Sequence, residues 1–394
     1  MATTPPNRIE RLATPLAVTL AVSVVWMIWA VGAVQRDSVD RFINVGEMFL
    51  EQGSGSSDAI DRHHVAAVGK AGYDGQFFYY VALDPRGAPA YLDAPSYRYA
   101  RALYPALTRA VSVGQPTLVP WALLLVNLVA VAGGTLALAL LLRRRGASPV
   151  YACLFGFAPG LFEAVSRDLS EPLAYALVAA GLAAGWWGEE PRPLRAGGLF
   201  GRAALTRETT LLFPLALVVA ALSGLGDVGA KRGGRRIRSA AVLATLSLAP
   251  YLVLRLVLLA RLGSDGTTPE AARFPLVPFG GLLSQWPFNR IVLEQVWSVV
   301  IPAILSIVLV ASLTRRLGPS LIALILNVGL LVVFLPTPSY ESIVASSRIA
   351  LGVTCAFIAC LAILPARHRA TVALGIAVFT MSPWFDLFPT AYGR

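Results

Sequence analysis

Long apolar runs separated by short polar intervals dominate the chain. The first run, Thr14–Gln35, is long enough to cross the roughly 30 Å hydrocarbon core of a bilayer. Arg8 and Arg11 precede it, and no small-residue cleavage site follows it, so we expect a transmembrane helix rather than a cleavable signal peptide. The other predicted single spans are about Thr117–Leu142, Pro149–Val165, Leu173–Trp187, Ser239–Leu259, Arg290–Leu313, Pro319–Leu335, Ile349–Leu364 and Ala370–Phe385.

Residues 196–224 have a different pattern, because two apolar runs flank the polar segment Thr206-Arg207-Glu208-Thr209. A single span here would place the basic residues between Lys231 and Arg238 outside, against the rule that basic loops face the cytoplasm. Two short helices that meet at Arg207 obey the rule, and broken helices are tolerated where they line a cavity inside the protein. The sequence therefore predicts an all-α, polytopic membrane protein of about eleven helices.

Composition and charge agree with a membrane location. The chain is 56% hydrophobic and 14% charged, with a mean hydropathy of +0.65, whereas soluble domains carry about 25% charged residues. The net charge of +11 is spread over short basic runs between apolar spans, which argues against a nucleic-acid partner. The runs Arg143–Arg145, Arg315–Arg316 and Arg367–Arg369 place the N-terminus in the cytoplasm and the C-terminus outside. We expect one integral-membrane domain over residues 1–394.

The longest polar interval, from Arg36 to about Gln115, is predicted to be an outer loop, and it contains Gly72-Tyr73-Asp74-Gly75-Gln76-Phe77-Phe78-Tyr79-Tyr80. Gly75 would leave room for a ligand beside Asp74, and the aromatic residues suit a sugar ring or a membrane interface. Partial burial would raise the pKa of Asp74 toward the range of a general base. The alternative is an aspartate that caps a short interfacial helix, with the aromatic residues as a membrane belt.

Further along this loop, the segment Tyr97–Pro105 has Arg98 and Arg101 at helical spacing, as in an amphipathic helix lying at the interface. The two arginines could extend to lipid headgroups or bind the phosphate of a lipid-linked substrate.

Other charged residues fall on or near the predicted outer face, where intramembrane charges suggest function. The additional members of this group are Asp168, Glu171, Arg207, Glu208, Arg255, Glu341 and Arg348. The alternative is a set of ion pairs that only holds the helices together. No phosphate-binding glycine loop or dinucleotide fingerprint occurs, and His63-His64 lacks the spacing of zinc ligands.

Three segments in this order resemble the GT-C class of integral-membrane glycosyltransferases, and within it the PIG-V-like mannosyltransferases and bacterial proteins of cell-surface glycopolymer formation. The segments are Tyr73–Tyr79 with Arg98–Pro105, then Ser166–Pro172, then Ala203–Glu208.

This resemblance implies transfer of a sugar, such as mannose or another hexose or pentose, from a polyprenyl-phosphate donor to a glycan or lipid acceptor outside a bacterial plasma membrane. Asp74 would be the general base. Tyr73, Gln76 and the outer-face acidic residues would contact substrate. Arg98, Arg101, Arg207, Arg255 and Arg348 would stabilise the phosphate leaving group. A divalent metal held by Asp168 or Glu171 could serve instead, but arginine is favoured because no compact oxygen-ligand motif is present.

Two other classes of protein remain open from the sequence. A transporter or flippase of a lipid-linked sugar would also have broken helices and charges within the membrane. A non-catalytic membrane subunit of a glycopolymer assembly complex would need only the helices and their ion pairs.

Overall fold

The structure is a computed structural model that describes residues 14–185, 192–223, 233–264, 274–314 and 317–385. Throughout these residues the regular elements are helices and no β-strand occurs, which confirms the predicted all-α class.

The N-terminal part combines two long helices with a group of short ones. Helix α1 begins at Pro15, where the missing N–H of proline costs nothing, and the Thr14 hydroxyl accepts a hydrogen bond from the Ala17 N–H at 3.1 Å. The helices of this part are α1 (Pro15–Asp37), α2 (Glu47–Gly53), α3 (Asp58–His63), α4 (Gly75–Leu83), α5 (Pro95–Tyr99), α6 (Leu103–Val111) and α7 (Val119–Arg144).

The middle part contains the predicted break near Arg207. The helices here are α8 (Cys153–Gly156), α9 (Pro159–Val165), α10 (Glu171–Gly185), α11 (Pro193–Ala204), α12 (Leu212–Leu222) and α13 (Gly233–Leu262). Arg207 has an extended backbone with a φ of −160°, and a short 3-10 turn over Glu208–Leu211 leads into α12. The two short helices therefore meet where the sequence predicted. The predicted span Pro149–Val165 is instead divided into short helical pieces.

The described residues of the C-terminal part form further helices. They are α14 (Gly280–Leu283), α15 (Arg290–Gln295), α16 (Ile301–Thr314), α17 (Pro319–Val328), α18 (Ile343–Ile349), α19 (Leu351–Leu361) and α20 (Ala366–Thr380). A π-helical turn, Val296–Val300, makes α15 and α16 one continuous stretch, and another, Gly329–Val333, extends α17.

Several helical stretches are long and apolar enough to cross a membrane. Within the described residues, five such stretches are Pro15–Asp37, Pro116–Arg144, Ile237–Leu262, Arg290–Thr314 and Ile343–Leu361, and three shorter apolar ones are Glu171–Ala184, Glu208–Leu222 and Pro319–Val333. The chain is thus a multi-pass helical membrane protein, and the count of eleven spans stays a prediction. The basic residues Arg8, Arg11, Lys231, Arg232, Arg315 and Arg316, on which the predicted orientation partly depends, lie outside the described residues.

Helix α10 lies at the centre of the bundle, packed between α7 and α11, and α11 packs in turn on α13. The predicted outer loop, residues 36–115, folds into a compact layer with an apolar core of its own. Phe77, Phe78, Tyr80 and Tyr104 are buried there together with residues of α7. These aromatic side chains are core residues, which corrects the expectation that they line a sugar site or form a membrane belt.

Asp74 and the Arg143–Arg145 run lie at opposite ends of α7. Phe78, one turn after Asp74, packs edge-on against Tyr104, and the Tyr104 hydroxyl donates to the Leu123 carbonyl oxygen at 3.2 Å. From Leu123 to Arg143 the helix rises about 30 Å, the thickness of a bilayer core. This separation is the one expected if the two segments face opposite sides of the membrane.

Candidate functional site

At the end of the bundle where α7 begins, eight charged side chains from distant parts of the chain meet in ion pairs. We call them the charged network; its members are Asp74, Asp93, Arg98, Arg101, Glu171, Arg207, Glu208 and Arg348. Seven of the eight were predicted as candidate site residues from the sequence, and Asp93 was not.

Asp74 lies between two arginines at the first turn of α4. Its Oδ1 is 3.1 Å from Nη1 of Arg98, and its Oδ2 accepts from Nη1 and Nη2 of Arg348 at 3.2 and 3.3 Å. Although Asp74 occupies the position before α4, its side chain accepts no capping hydrogen bond from the helix. The capping alternative therefore does not explain this residue.

The pKa of Asp74 moves in the direction opposite to the sequence-based expectation. Burial on its own raises the pKa, but the charges of Arg98 and Arg348 outweigh burial and hold the pKa well below its usual range. Asp74 is therefore ionised at neutral pH, which is the form a general base needs, yet its affinity for a proton is low while both arginines remain in place.

Gly72 and Gly75 are needed for the backbone conformation and packing near Asp74. This corrects the expectation that Gly75 leaves room for a ligand. A Cβ atom at Gly75 would overlap the carbonyl oxygen of Arg167. The space beside Gly75 is therefore filled by the Ser166–Asp168 turn and not left for a ligand. Gly72 has a φ of +64°, a left-handed conformation that glycine adopts without strain.

Arg98 and Arg101 lie at the junction of α5 and α6 and point into the protein. Arg98 binds Asp93 with two hydrogen bonds, of 2.8 Å from Nε and 2.6 Å from Nη2, and its guanidinium stacks on the Phe77 ring at 4.2 Å. Arg101 contacts Glu208 at 3.2 Å and donates to the Tyr97 hydroxyl at 2.5 Å. Both arginines are buried, so they do not extend to lipid headgroups.

Glu171, the first residue of α10, joins two of the arginines. It pairs with Arg207, and Arg348 Nη1 lies 3.3 Å from its Oε1. A carboxylate at the first turn is favoured by the helix dipole. Arg207 reaches Glu171 because the break after α11 frees it from helical geometry, and both side chains are almost fully buried.

Two predicted residues next to Asp74 have different surroundings. The Gln76 amide is occupied by the backbone, since its Oε1 accepts from the Gly46 N–H and its Nε2 donates to the Ala71 carbonyl oxygen, both at 2.9 Å. Tyr73 is half-buried, with the guanidinium carbons of Arg348 and Arg167 at 5.4 and 5.6 Å from its ring centroid. Tyr73 thus borders the network, whereas Gln76 holds the loop together.

Three further predicted residues lie outside the network. Glu341 is exposed after a short 3-10 turn, and Arg255 of α13 donates to the Tyr251 hydroxyl at 2.8 Å. Asp168 is fully buried with a left-handed φ of +46°, and within the described residues neither carboxylate oxygen has a hydrogen-bond partner. Burial raises the pKa of Asp168 well above its usual range, which favours the neutral acid.

The donor set does not fit a divalent metal at Asp168 or Glu171. Glu171 is already bound to two arginines, and Asp168 favours its neutral form. The described part of the chain contains no group of three or more histidine, cysteine or acidic side chains placed to hold a metal ion. We therefore assign no chemical step to a metal.

The sequence did not indicate the Asp93–Arg98 contact, the stacking of Arg98 on Phe77, or the Glu163–Arg167 pair beside Tyr73. Asp93 stands before Ala94-Pro95, where an aspartate is explained by the start of a helix, so the sequence held no signal for its contact with Arg98.

Two cavities lie near the network but do not include Asp74. One is a mostly apolar cavity between α9, α16, α19 and α20 that reaches Ser347, the neighbour of Arg348. The other continues from Pro159 and Pro383 to Glu163. Neither of these two cavities is lined by a member of the charged network.

Comparison with protein-family models, with curated proteins and with solved structures finds no match for this chain. The class that the fold defines is a multi-pass helical membrane protein with a charged network at one end of its bundle.

Proposed function

We propose that the chain is a membrane glycosyltransferase that moves a sugar from a polyprenyl-phosphate donor to a glycan or lipid acceptor on the outer face of a bacterial plasma membrane. One observation carries the proposal: an ionised carboxylate, 21% exposed, lies between two arginines at one end of the bundle. A base for the acceptor hydroxyl and cations for the leaving phosphate are thus within about 3 Å of each other.

In the proposed reaction Asp74 takes the proton of the acceptor hydroxyl as its oxygen bonds to the anomeric carbon. The bond between that carbon and the phosphate oxygen breaks, and its electron pair stays on the phosphate. Polyprenyl phosphate leaves with one more negative charge, which Arg98 and Arg348 stabilise. The energy comes from the sugar–phosphate bond, so no nucleotide is required at this site.

The apolar cavity next to Ser347 supports a lipid-linked donor. It lies within the helical bundle between α9, α16, α19 and α20 and reaches Ser347, the residue before Arg348. An isoprenoid chain in this cavity would bring its phosphate to the arginine end of α18.

A non-catalytic scaffold is the second candidate, and one observation favours it. Each carboxylate of the charged network pairs with an arginine, giving four positive and four negative charges. A network that is neutral by itself is also what a purely structural role would require.

The test is an assay of the purified protein in liposomes with a labelled polyprenyl-phosphate sugar and an extract of cell-envelope acceptors. We expect label to move to the acceptor, and Asp74→Asn to reduce the rate by about 10²–10⁴-fold because an amide does not accept the proton.

Asp84→Asn is the matched control, because Asp84 lies at the other end of α4. Its Oδ2 accepts from the Ser57 hydroxyl at 2.7 Å and its Oδ1 from the Arg86 N–H at 3.0 Å. In asparagine the amide oxygen can keep the Arg86 contact, and the amide NH2 can donate to the Ser57 hydroxyl, which also accepts. Equal effects of the two variants would remove Asp74 from the chemistry and favour the scaffold. Passage of intact donor across the liposome, without transfer, would identify a transporter.

A further inference from the structure

Asp74 is held more loosely by Arg98 than Asp93 is, and its contacts with Arg348 are as long as the 3.3 Å contact of Arg348 with Glu171. Charge-assisted hydrogen bonds are typically about 2.7–2.9 Å long, and those from Arg98 to Asp93 measure 2.6 and 2.8 Å. The distances from Asp74 to Arg98 and Arg348 are 3.1 to 3.3 Å. Asp74 is therefore the partner that Arg98 would exchange first, and for Arg348 it is the more accessible of two equally long contacts, since Glu171 is only 1% exposed.

The arginines of the network also have unused donors. Within the described residues, Nε of Arg348 and Nε of Arg207 are buried without a hydrogen-bond partner. A buried guanidinium donor that lacks an acceptor is costly, and an anion with several oxygens would supply one. A phosphate group has this property, whereas the two oxygens of Asp74 are both occupied already.

Exposure shows where an anion would enter. The side chain of Asp74 is 21% exposed, compared with 9% for Arg98 and 13% for Arg348. Asp74 thus lies between the two arginines and the solvent. An incoming anion contacts the arginines only if the carboxylate of Asp74 moves away from them.

Resting on the function proposed above, we propose that Arg98 and Arg348 exchange partners during the reaction: they bind Asp74 before substrate arrives, and the donor phosphate then displaces it. Donor binding would therefore come first and release the base for the acceptor hydroxyl. The negative charge that Asp74 loses on taking the proton is the charge that the phosphate gains when the sugar bond breaks. The cations stay in place while the negative charge moves from one partner to the other.

Asp74 and the donor phosphate compete for the same cations in this scheme, which predicts an unusual binding result. We expect Asp74→Asn to bind polyprenyl phosphate, a probe without sugar, at least about tenfold more tightly than the wild-type protein. Asp84→Asn should leave the affinity unchanged, and Arg348→Gln should weaken it. Unchanged or weaker binding by a folded Asp74→Asn variant would overturn the exchange.

The binding measurement uses nanodiscs of zwitterionic lipid and, in parallel, nanodiscs that contain phosphatidylglycerol. Similar affinities in the two are expected for a site that selects the polyprenyl phosphate. A large loss of affinity in anionic nanodiscs would mean that bulk lipid headgroups occupy the arginines, which contradicts the exchange with a donor.

Product inhibition of the wild-type protein gives a second test that does not require the variant to fold. Polyprenyl phosphate should compete with the donor but not with the acceptor, as in an ordered reaction with donor first. Competition with the acceptor would contradict the order. A failure to transfer sugar would refute the proposed function, whereas the binding comparison would still decide the exchange.

Discussion

At the scale of single residues, the charged network contains two kinds of ion pair. Asp74 is partly exposed and loosely held, whereas the Glu171–Arg207 pair is almost fully buried. The first kind suits a group that changes partners during a reaction. The second kind suits one that fixes the relative positions of α10 and the break after α11.

We predict that Glu171→Gln destabilises the fold by about 3–5 kcal/mol, because it leaves buried arginine charges without their carboxylate. Thermal unfolding in detergent measures the effect. Asp58→Asn is the control, since the Asp58–Arg62 pair is well exposed and should contribute little. A Glu171→Gln variant as stable as the wild type would contradict the structural role of this pair.

The low pKa of Asp74 predicts the pH dependence of transfer. A base is active when ionised, and with its pKa held below the usual value Asp74 stays ionised from neutral pH down to about pH 4. Profiles of kcat/KM should therefore show no loss caused by Asp74 between about pH 5 and 8.

Removing one of the two arginines should raise the pH below which Asp74 becomes protonated and transfer is lost. In Arg98→Gln the carboxylate keeps only Arg348 in direct contact, its pKa rises, and the acidic limb of the normalised profile should shift to higher pH. Arg62→Gln, far more exposed and paired with Asp58, is the control. If the acidic limb of the profile is at the same pH in Arg98→Gln as in the wild type, the ionisation of Asp74 does not determine the loss of activity at low pH.

At the scale of elements, the close packing of α11 on α13 depends on small residues. A Cβ atom at Gly201 would overlap the Leu246 carbonyl oxygen of α13, whereas one at Gly198 would meet only the flexible end of Arg202 at 3.4 Å. Small residues at such contacts let membrane helices approach closely.

We therefore predict that Gly201→Ala lowers the melting temperature, with an overpacking cost of about 1–3 kcal/mol. Gly198→Ala in the same helix should be neutral or stabilising, because alanine favours a helix over glycine by about 1 kcal/mol. Melting curves of the two variants make the comparison. Equal destabilisation would mean that loss of glycine flexibility, rather than helix contact, is responsible.

The elements also show what sequence could and could not predict. The break at Arg207 was predictable, because the polar residues Thr206–Thr209 interrupt an apolar run and the charge rule disfavours one span. The contact between Gly75 and Arg167 and the pairing of Arg98 with Asp93 were not predictable. Both depend on the distance between segments that only the packed structure fixes, and neither leaves a periodic pattern.

At the scale of the whole molecule, the proposed function requires the charged network to face outward. In a background in which Cys153 is replaced by serine, we predict that Lys70→Cys reacts with a membrane-impermeant maleimide on intact cells and that Val150→Cys does not. Both positions are exposed, and they lie toward opposite ends of α7. The remaining cysteines, Cys355 and Cys360, are fully buried.

Permeabilised cells give the control, in which both engineered cysteines should react. The reverse pattern on intact cells would place Asp74 in the cytoplasm and contradict the outward orientation.

The central claim is that Asp74 acts in the chemical step and not in holding the helices together. The most direct test is the single-turnover rate of sugar transfer, measured against donor concentration for the wild type and for Asp74→Asn with an unchanged melting temperature. We expect a maximal rate about 10²–10⁴-fold lower in the variant, reached at equal or lower donor concentration. An unchanged maximal rate, or a loss that more donor restores, would contradict this claim.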